Sequence, residues 1–406
     1  MSSTAMGPSL ARSKVVDHRK HFGRGLQPCL PRITTMRLFS EGIYRMSAAV
    51  LLLPLLAGAD PSLIVESAKP LPELTQLFRH TRGWTGGDCA ASIPLSEKRT
   101  LWLFADTWIG VVENGRRQKM RMSNNTAAWQ SLETHEPLKF FWAGSEEKPE
   151  ALLKPTQSDH WYWPGDGVMH DGKLYVFCKL VKRNEAGAPA FQFDWVGNEL
   201  VQIENPYDEP TRWRYQRMRL FRDEDDVRLG CGCVIDGDHL FVFGLFPKKE
   251  CKKLEAPVAV ARVPLAKLDR RQFSDWQFWT ESGWSGKPDK LIALMRDGAA
   301  EMSIGRVRGI SGLVMVYQGL GLGKDILLRH ADRPEGPWSA PVKAYRCPEA
   351  GKIFAYAARF HPELAKDPGQ LIVTYCRNTG SLADHAREPD IYIPQGVEIR
   401  LKAQAK

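Results

Sequence analysis

Five short apolar segments recur along the chain at long and similar intervals. They begin at residues 101, 174, 240, 313 and 371 and read LWLFAD, LYVFCK, LFVFGL, LVMVYQ and LIVTYC. Apolar residues occupy consecutive positions in each segment, which a strand tolerates only when other layers cover both of its faces. The intervals of 58 to 73 residues leave room for about four strands of five or six residues with their loops. The pattern therefore predicts five copies of a unit of about four strands.

A weaker strand signal lies just upstream of each apolar segment. These signals are CAASIPL at 89, GVMHDG at 167, GCVIDG at 232, MSIGRV at 302 and AYAARF at 355. Each pair is expected to form an antiparallel hairpin, and sheets stacked around an axis would cover both faces of the apolar strands. The predicted fold is an all-β, five-bladed β-propeller. The alternating tail IYIPQGVEIRL at 391 is expected to close the ring as an outer strand, with an N-terminal segment.

A β-sandwich is the alternative fold. Many short strands joined by turns rich in Gly, Asp and Pro suit either architecture. A sandwich, however, gives no reason for a repeat at this long interval. The periodicity therefore favours the propeller.

The N-terminal region reads as a targeting segment. Arg37 and Arg45 precede an apolar stretch from Ala48 to Leu56, and the small residues 57–59 follow it. This order is typical of a secretory signal peptide, and the apolar stretch is too short to span a bilayer. A mitochondrial transit peptide is the competing interpretation, since the upstream extension is basic and poor in acids. We expect four segments: an extension or misassigned start at 1–35, a signal peptide at 36–59, a connector at 60–80, and one propeller domain at 81–406.

Composition narrows the class of protein further. The chain has 406 residues, 43% hydrophobic and 25% charged, with a formal net charge of +9. Much of the basic excess lies in the first 35 residues, so nucleic-acid binding is not expected of the domain itself. The seven cysteines after the predicted cleavage site are an odd number in a long chain, which argues against a disulfide framework. The expected product is a soluble, secreted or periplasmic protein without an integral membrane segment.

Acidic residues occur at equivalent positions of several repeats. Three acids lie at the start of the first hairpin strand of their repeats: Asp88, Asp166 and Glu301. A fourth, Asp106, ends the apolar strand of the first repeat. In an antiparallel hairpin the end of one strand returns beside the start of the other, so Asp88 and Asp106 should be neighbours. Glycoside hydrolysis uses two carboxyl groups, one protonated and one ionised. Asp88, Asp106 and Glu301 are therefore the predicted catalytic residues, while Asp166 in PGDG also fits an ordinary turn.

Further polar and aromatic residues are expected to line the same central funnel. The predicted substrate-binding residues are Asp166, Asn124, Asn125, Trp161, Trp163, Arg306, Tyr356 and His361. The aromatic rings suit the apolar faces of sugars. No esterase, P-loop, zincin or dinucleotide motif is present, and neither a metal nor a cofactor is predicted.

The first repeat also resembles a known family. The segment GWTGGDCAASIPLSEKRTLWLFADTWIG, followed by RMSNNTAAWQ, resembles the opening of domain-of-unknown-function family 4185. Such proteins resemble the five-bladed hydrolases of the arabinanase, xylosidase and invertase superfamily, and some members are assigned as endo-acting D-arabinan hydrolases. The resemblance implies that Asp88 and Asp106 are the blade-one acids, and that Glu301 corresponds to the fourth-blade acid of the superfamily.

Two hypotheses about function follow. The first is a secreted glycoside hydrolase that acts on a polysaccharide through a carboxylate pair in the funnel, with an arabinan-like glycan as one candidate substrate. The second is a non-catalytic propeller that binds carbohydrate or another protein. A lyase or a calcium-dependent enzyme is a third class, but the sequence lacks a ligand signature for it.

Overall fold

The structure is a computed structural model that describes residues 63–134, 136–186, 192–222 and 226–403. The predicted signal peptide and the extension before it lie outside these residues. The described part of the chain belongs to one compact unit, residues 56–406. None of its helices is long and apolar enough to cross a membrane.

Strands make up nearly all of the regular structure, and the all-β class is confirmed. The first ten are β1 (Leu63–Pro70), β2 (Arg82–Gly87), β3 (Ala91–Ser96), β4 (Arg99–Phe104), β5 (Thr107–Glu113), β6 (Arg116–Ser123), β7 (Thr126–Ser131), β8 (Lys139–Phe141), β9 (Ala143–Gly144) and β10 (Pro149–Glu150). The next nine are β11 (His160–His170), β12 (Lys173–Arg183), β13 (Phe193–Ile203), β14 (Tyr215–Arg219), β15 (Arg228–Asp236), β16 (His239–Leu245), β17 (Val258–Pro264), β18 (Gln277–Thr280) and β19 (Gly283–Ser285). The last seven are β20 (Met302–Gly305), β21 (Leu313–Gln318), β22 (Asp325–Ala331), β23 (Val342–Arg346), β24 (Phe354–Phe360), β25 (Gln370–Asn378) and β26 (Gln395–Ala403).

Helices are short and few in the described residues. The α-helices are α1 (Pro72–Gln76), α2 (Leu265–Leu268) and α3 (Leu382–Arg387). The 3₁₀ turns are Pro210–Arg212, Lys248–Glu250, Phe273–Asp275, Gly319–Gly321 and Pro362–Leu364. The segment expected to be a connector, residues 60–80, contains β1 and α1.

Five antiparallel sheets follow one another along the chain. Their strand orders are β3-β4-β7-β8, β11-β12-β13-β14, β15-β16-β17-β18-β19, β20-β21-β22-β23 and β24-β25-β26-β1. The five apolar segments form the second strand of each sheet, and the five upstream signals form the first strand, as the sequence predicts. A three-stranded sheet, β2-β5-β6, and a two-stranded sheet, β9-β10, stand beside these five.

The hydrophobic core is divided into layers between consecutive sheets. In β16, Leu240 and Val242 pack toward the second sheet with Phe177, while Phe241 and Phe243 pack toward the fourth sheet. Similar clusters lie between the first and second sheets and between the fourth and fifth. Neighbouring residues of one strand thus serve opposite layers, which explains the consecutive apolar positions in the sequence.

The last sheet also packs against the first. A cluster containing Trp102 and Phe104 of β4 includes Ile372 of β25 and Ile393. At the other edge of the fifth sheet, the N-terminal strand β1 pairs with β26 from Leu63 to Pro70. The expected N-terminal segment thus joins the fifth sheet, and β1 rather than the C-terminal tail is its outermost strand.

The first strands of the five sheets come very close together. A Cβ atom on Gly165 of β11 would lie 2.5 Å from the Gly230 carbonyl oxygen of β15, and one on Gly232 would lie 2.8 Å from the Met302 carbonyl oxygen. Side chains would not fit at such distances, so glycine is required there. Residues from all five first strands line one small cavity of about 120 Å³.

Candidate active site

A larger cavity, of about 690 Å³, opens among the sheets and the segment around α3. It contains three carboxyl groups, those of Asp88, Asp106 and Glu301. Its aromatic lining consists of Trp108, Trp161, Trp163, Phe193, Trp195, Phe354, Tyr356 and Tyr392. The structure therefore brings together the three acids that the sequence singled out.

Asp88 lies between β2 and β3, and two phenols bind one of its oxygens. Tyr356 donates to Oδ2 at 2.6 Å and Tyr392 at 3.0 Å. The other oxygen, Oδ1, is buried and has no hydrogen-bond partner among the described residues. Burial, followed by the charge of Asp106, raises the pKa of Asp88 to about 7 against the opposing effect of the two phenols. Asp88 is thus a carboxyl group that holds a proton near neutral pH.

Asp106 lies two residues after the end of β4 and is a neighbour of Asp88, as predicted. The Asp88 amide donates to the Asp106 carbonyl oxygen at 3.3 Å. Asn124 and Trp163 both donate to Asp106 Oδ1, at 3.0 and 2.8 Å. Burial raises the pKa of Asp106 to about 6, while these two donors stabilise the ionised form. Burial thus raises the pKa of both carboxyl groups, and the two differ in their partners: Asp106 accepts two donors on Oδ1, whereas Asp88 Oδ1 accepts none among the described residues.

Glu301 lies at the same cavity but in a different electrostatic state. The ammonium group of Lys179 on β12 forms an ion pair with Glu301 Oε1, and the Lys179 side chain is only 3% exposed. Although burial opposes it, the charges of Lys179 and Arg359 lower the pKa of Glu301. Glu301 is held ionised, so this arrangement does not suit it as a proton donor.

One wall of the cavity is aromatic. Trp161 and Trp163 meet edge to face with ring centres 6.2 Å apart, and Phe193 meets Trp163 at 4.6 Å. The buried indole nitrogen of Trp161 has no hydrogen-bond partner within the described part of the chain. Such a wall offers stacking faces to a ring-shaped ligand.

Backbone strain is concentrated around Asp88. Four non-glycine residues there have left-handed backbone angles: Cys89 (φ 67°), Ala90 (φ 40°), Ala357 (φ 56°) and Tyr392 (φ 74°). Two follow Asp88, one follows Tyr356, and the fourth itself donates a hydrogen bond to Asp88. Each such residue costs about 1 kcal/mol or more. Strain of this kind clusters where a fold holds functional groups in place.

Asp166 is a correction to the predicted site. It does not line the main cavity but the smaller one among the first strands. The segment PGDG that contains Asp166 does not form a turn before β11. It lies inside this strand, at a bulge between Pro164 and Gly167. The amides of Cys233 and Gly167 each donate to its carboxyl group at 2.8 Å. Asp166 thus connects neighbouring first strands and does not face the proposed substrate position.

Three other predicted lining residues lie elsewhere. Asn125 is buried and bonds the backbone of Leu153 and Tyr162. His361 is fully buried and lies 2.7 Å from Ser92 Oγ and 2.8 Å from Thr374 Oγ1.

Arg306 is exposed and forms an ion pair with Asp236. The prediction that Asn125, His361 and Arg306 line the cavity is therefore wrong. The neighbouring strand patterns in the sequence do not determine the direction in which each side chain points. Trp161, Trp163 and Tyr356 do line the main cavity, and Asn124 reaches it through Asp106.

Several residues of the site were not found from sequence. Lys179, Trp195, Asn378, His385 and Tyr392 all line the cavity. Among them, Lys179 could have been noticed in the sequence, because it is a cation within the apolar run of β12. A buried cation is costly without a counter-charge, which indicates a nearby acid. Asn378 ends β25, just after the apolar segment LIVTYC, and the other three lie outside the five repeated hairpins.

The described residues contain no group of three or more His, Cys, Asp or Glu side chains that could hold a metal ion. The seven described cysteines are free thiols. The arrangement at this site is therefore one of carboxyl groups, phenols and aromatic rings.

A solved structure shares the fold. A candidate hydrolase from Bacteroides ovatus superposes with a TM-score of 0.68 at 17% identity, over 86% of this chain and 93% of that one. Two further structures are less similar: a GH43_1 enzyme from Xanthomonas citri complexed with xylotriose (TM-score 0.43, 11% identity, 83% and 91% covered) and an endo-arabinase from Bacteroides thetaiotaomicron (0.41, 12%, 80% and 98%). The first similarity supports the fold alone.

Among curated proteins, none matches the chain. A family profile matches residues 72–400, and it is that of the domain of unknown function DUF5005. The family number 4185 suggested by the first repeat is therefore corrected. The chain belongs to the DUF5005 family.

Proposed function

We propose that the protein is an exported glycoside hydrolase with a five-bladed β-propeller fold, acting on a polysaccharide. Five successive sheets, five core layers and a cavity lined by all five first strands support the propeller. The order of charged, apolar and small residues in 36–59 supports export.

The observation that carries the proposed activity is the pair of neighbouring carboxyl groups in one aromatic cavity. Asp88, with a pKa of about 7, retains a proton and donates it to the glycosidic oxygen. The bond from that oxygen to the anomeric carbon breaks, and the leaving sugar departs as an alcohol. Asp106, which accepts two hydrogen bonds on Oδ1, offers Oδ2 as nucleophile or as base toward water.

Lys179 and Glu301 complete the site without transferring the proton. The ion pair is neutral overall and joins β12 to the loop before β20 at the cavity wall. It fixes the two side chains in place and leaves the proton transfer to the aspartates.

A hydrolysis screen tests this proposal. Arabinans, xylans, galactans and other polysaccharides would be incubated with the wild type, Asp88→Asn and Asp106→Asn, and the new reducing ends would be measured. Each variant should lose about a hundredfold or more of kcat/KM. Asp236→Asn, at an exposed ion pair with Arg306, is the matched control and should retain full activity.

The pH profile tests the roles of the two carboxyl groups. Activity needs Asp106 ionised, so it should rise as pH passes about 6, and it needs Asp88 protonated, so it should fall as pH passes about 7. Glycan binding without products across the panel would instead support a non-catalytic binding propeller. Hydrolysis that survives in both Asn variants would overturn the assigned mechanism.

A further inference from the structure

A continuous chain of hydrogen bonds leads from Asp88 across the cavity wall. Tyr356 Oη donates to Asp88 Oδ2 at 2.6 Å, and Asn378 Nδ2 donates to Tyr356 Oη at 3.2 Å. Asn378 Oδ1 lies 2.9 Å from His385 Nε2, and Trp108 Nε1 donates to His385 Nδ1 at 3.0 Å. The chain thus joins five residues that all line the cavity.

The direction of every bond in this chain is determined. An indole nitrogen can only donate, so His385 Nδ1 must accept and Nε2 must carry the hydrogen. His385 Nε2 therefore donates to Asn378 Oδ1, which also accepts from the Thr379 amide at 2.7 Å. With Oδ1 fixed as the acceptor, Asn378 presents its amide hydrogens to Tyr356 Oη. Tyr356 Oη accepts from Asn378, so its own hydrogen is left for the bond to Asp88 Oδ2.

The protonation state of His385 does not disturb this order. Burial and the neighbouring Arg117 lower the pKa of His385 to about 4, against opposing effects of the Thr379 carbonyl and Asp384. His385 is therefore neutral over the range in which the Asp88 and Asp106 carboxyl groups titrate. The Trp108 donor keeps it in a single tautomer.

We propose that Asn378 is a positioning residue, which fixes the direction of the Tyr356 hydroxyl so that Asp88 carries its proton on Oδ1 and not on Oδ2. The inference rests on the proposed function in taking Asp88 as the proton donor. Tyr356 and Tyr392 occupy Oδ2 as donors, so a hydrogen on that oxygen would face two other hydrogens. Oδ1, without a partner among the described residues, is the remaining position.

Other charged and titratable groups also face Asp88. Asp106 comes from the end of β4, Glu301 from the loop before β20, Tyr392 from the segment before β26, and Cys89 from the adjacent position. Cys376 faces it from β25. A test of the hydroxyl direction must therefore separate the effect of Tyr356 from a charge acting through space.

The isosteric change Asn378→Asp makes that separation possible. The new carboxylate keeps an acceptor for His385 and the Thr379 amide, but it presents a second acceptor to Tyr356. The Tyr356 hydroxyl should turn toward this carboxylate and away from Asp88, which loses a donor that stabilises its ionised form. We expect the pKa of Asp88 to rise by about one unit or more, and the alkaline limb of the pH profile to move with it.

A double-variant cycle with Tyr356→Phe shows whether the effect passes through Tyr356. Tyr356→Phe alone should also raise the pKa of Asp88, and Asn378→Asp should add much less in that background than in the wild type. Tyr375→Phe is the matched control, because its hydroxyl donates to Glu349 at 3.0 Å and should leave Asp88 unchanged. Circular dichroism would verify that each variant is folded.

The readout is a carboxyl ¹³C NMR titration of aspartate-labelled protein, with the Asp88 signal identified by its loss in Asp88→Asn. This titration reports the Asp88 pKa whether or not any glycan is cleaved, so failure of the proposed function is distinguishable from failure of this inference. The pH profile of kcat is the second readout. An unchanged Asp88 pKa in Asn378→Asp, or the same shift with and without Tyr356, would refute the role of Asn378.

Discussion

At the scale of single residues, the buried environment of the Asp88 carboxyl group lowers the stability of the folded protein. Its carboxyl group is removed from water, faces Asp106, and retains one oxygen without a partner in the described residues. The strained backbone at Cys89 and Ala90 adds to this cost. Local destabilisation of this kind is typical of sites that keep a group ready for chemistry.

The free energy of unfolding should report this state of Asp88. The unfolded chain releases the Asp88 proton near pH 4, whereas the folded protein keeps it up to about pH 7. Between these values the folded state binds more protons, so the Asp88 contribution makes the protein less stable as pH rises. Asp88→Asn cannot ionise and should exceed the wild type in stability by a few kcal/mol at pH 8, with the difference shrinking toward pH 4.

Urea unfolding at pH 4, 6 and 8 measures this difference. Asp236→Asn at the surface serves as the control and should show little pH dependence, because surface ion pairs contribute little. A stability difference for Asp88→Asn that stays constant over this range would contradict the raised pKa.

At the scale of secondary structure elements, the site depends on parts that lie outside the five repeated sheets. Tyr392 and His385 belong to the segment containing α3, and Arg117 of β6 attaches this segment to the sheet β2-β5-β6. The Arg117 guanidinium donates to the carbonyl oxygens of Thr85, His385, Pro389 and Ile391 at 2.5 to 3.2 Å. One buried cation thus holds four backbone positions together.

Arg117→Met should release this segment while keeping most of the apolar bulk of the side chain. The four carbonyl groups lose their donor, which should cost about 2 kcal/mol or more, and amides 382–392 should exchange their hydrogens faster. Hydrogen exchange followed by mass spectrometry measures the change. Arg121→Met is the control, because Arg121 is exposed and, within the described residues, its side chain donates just to the Met120 carbonyl oxygen. Equal protection of 382–392 in both variants would show that Arg117 does not anchor the segment.

The same elements separate what the sequence could predict from what it could not. The inner hairpins were predictable because Leu240 to Phe243 alternate between two core layers, which leaves an unbroken apolar run. Bulges leave no such pattern, so Asp166 was placed at a strand start when it lies within β11. Arg117 is the buried exception on a strand whose other long side chains are mostly exposed. Contacts that depend on a single long side chain give no periodic signal.

At the scale of the whole molecule, the two ends of the described chain meet in one sheet. Strand β1 is the outermost strand of the fifth sheet, next to β26, and Leu63 is buried with Val397, Ile399 and Leu401 of β26. The sheet is complete only when residues more than 300 positions apart pair. This pairing joins residues of high sequence separation, so it should form late in folding and be sensitive to any loss of packing at β1.

Leu63→Ala tests whether β1 belongs to the cooperative unit. Leu63 is 3% exposed, so its truncation should lower the free energy of unfolding by about 2 to 4 kcal/mol. Ile64→Ala, one residue further along β1 and 46% exposed, should change it by less than about 0.5 kcal/mol. Urea unfolding would be followed by both tryptophan fluorescence and circular dichroism. Each variant should show a single transition if the β1–β26 pairing and the remaining sheets unfold together. A separate early transition in Leu63→Ala would show instead that β1 detaches while the remaining sheets stay folded, because only a strand outside the cooperative unit can be lost alone.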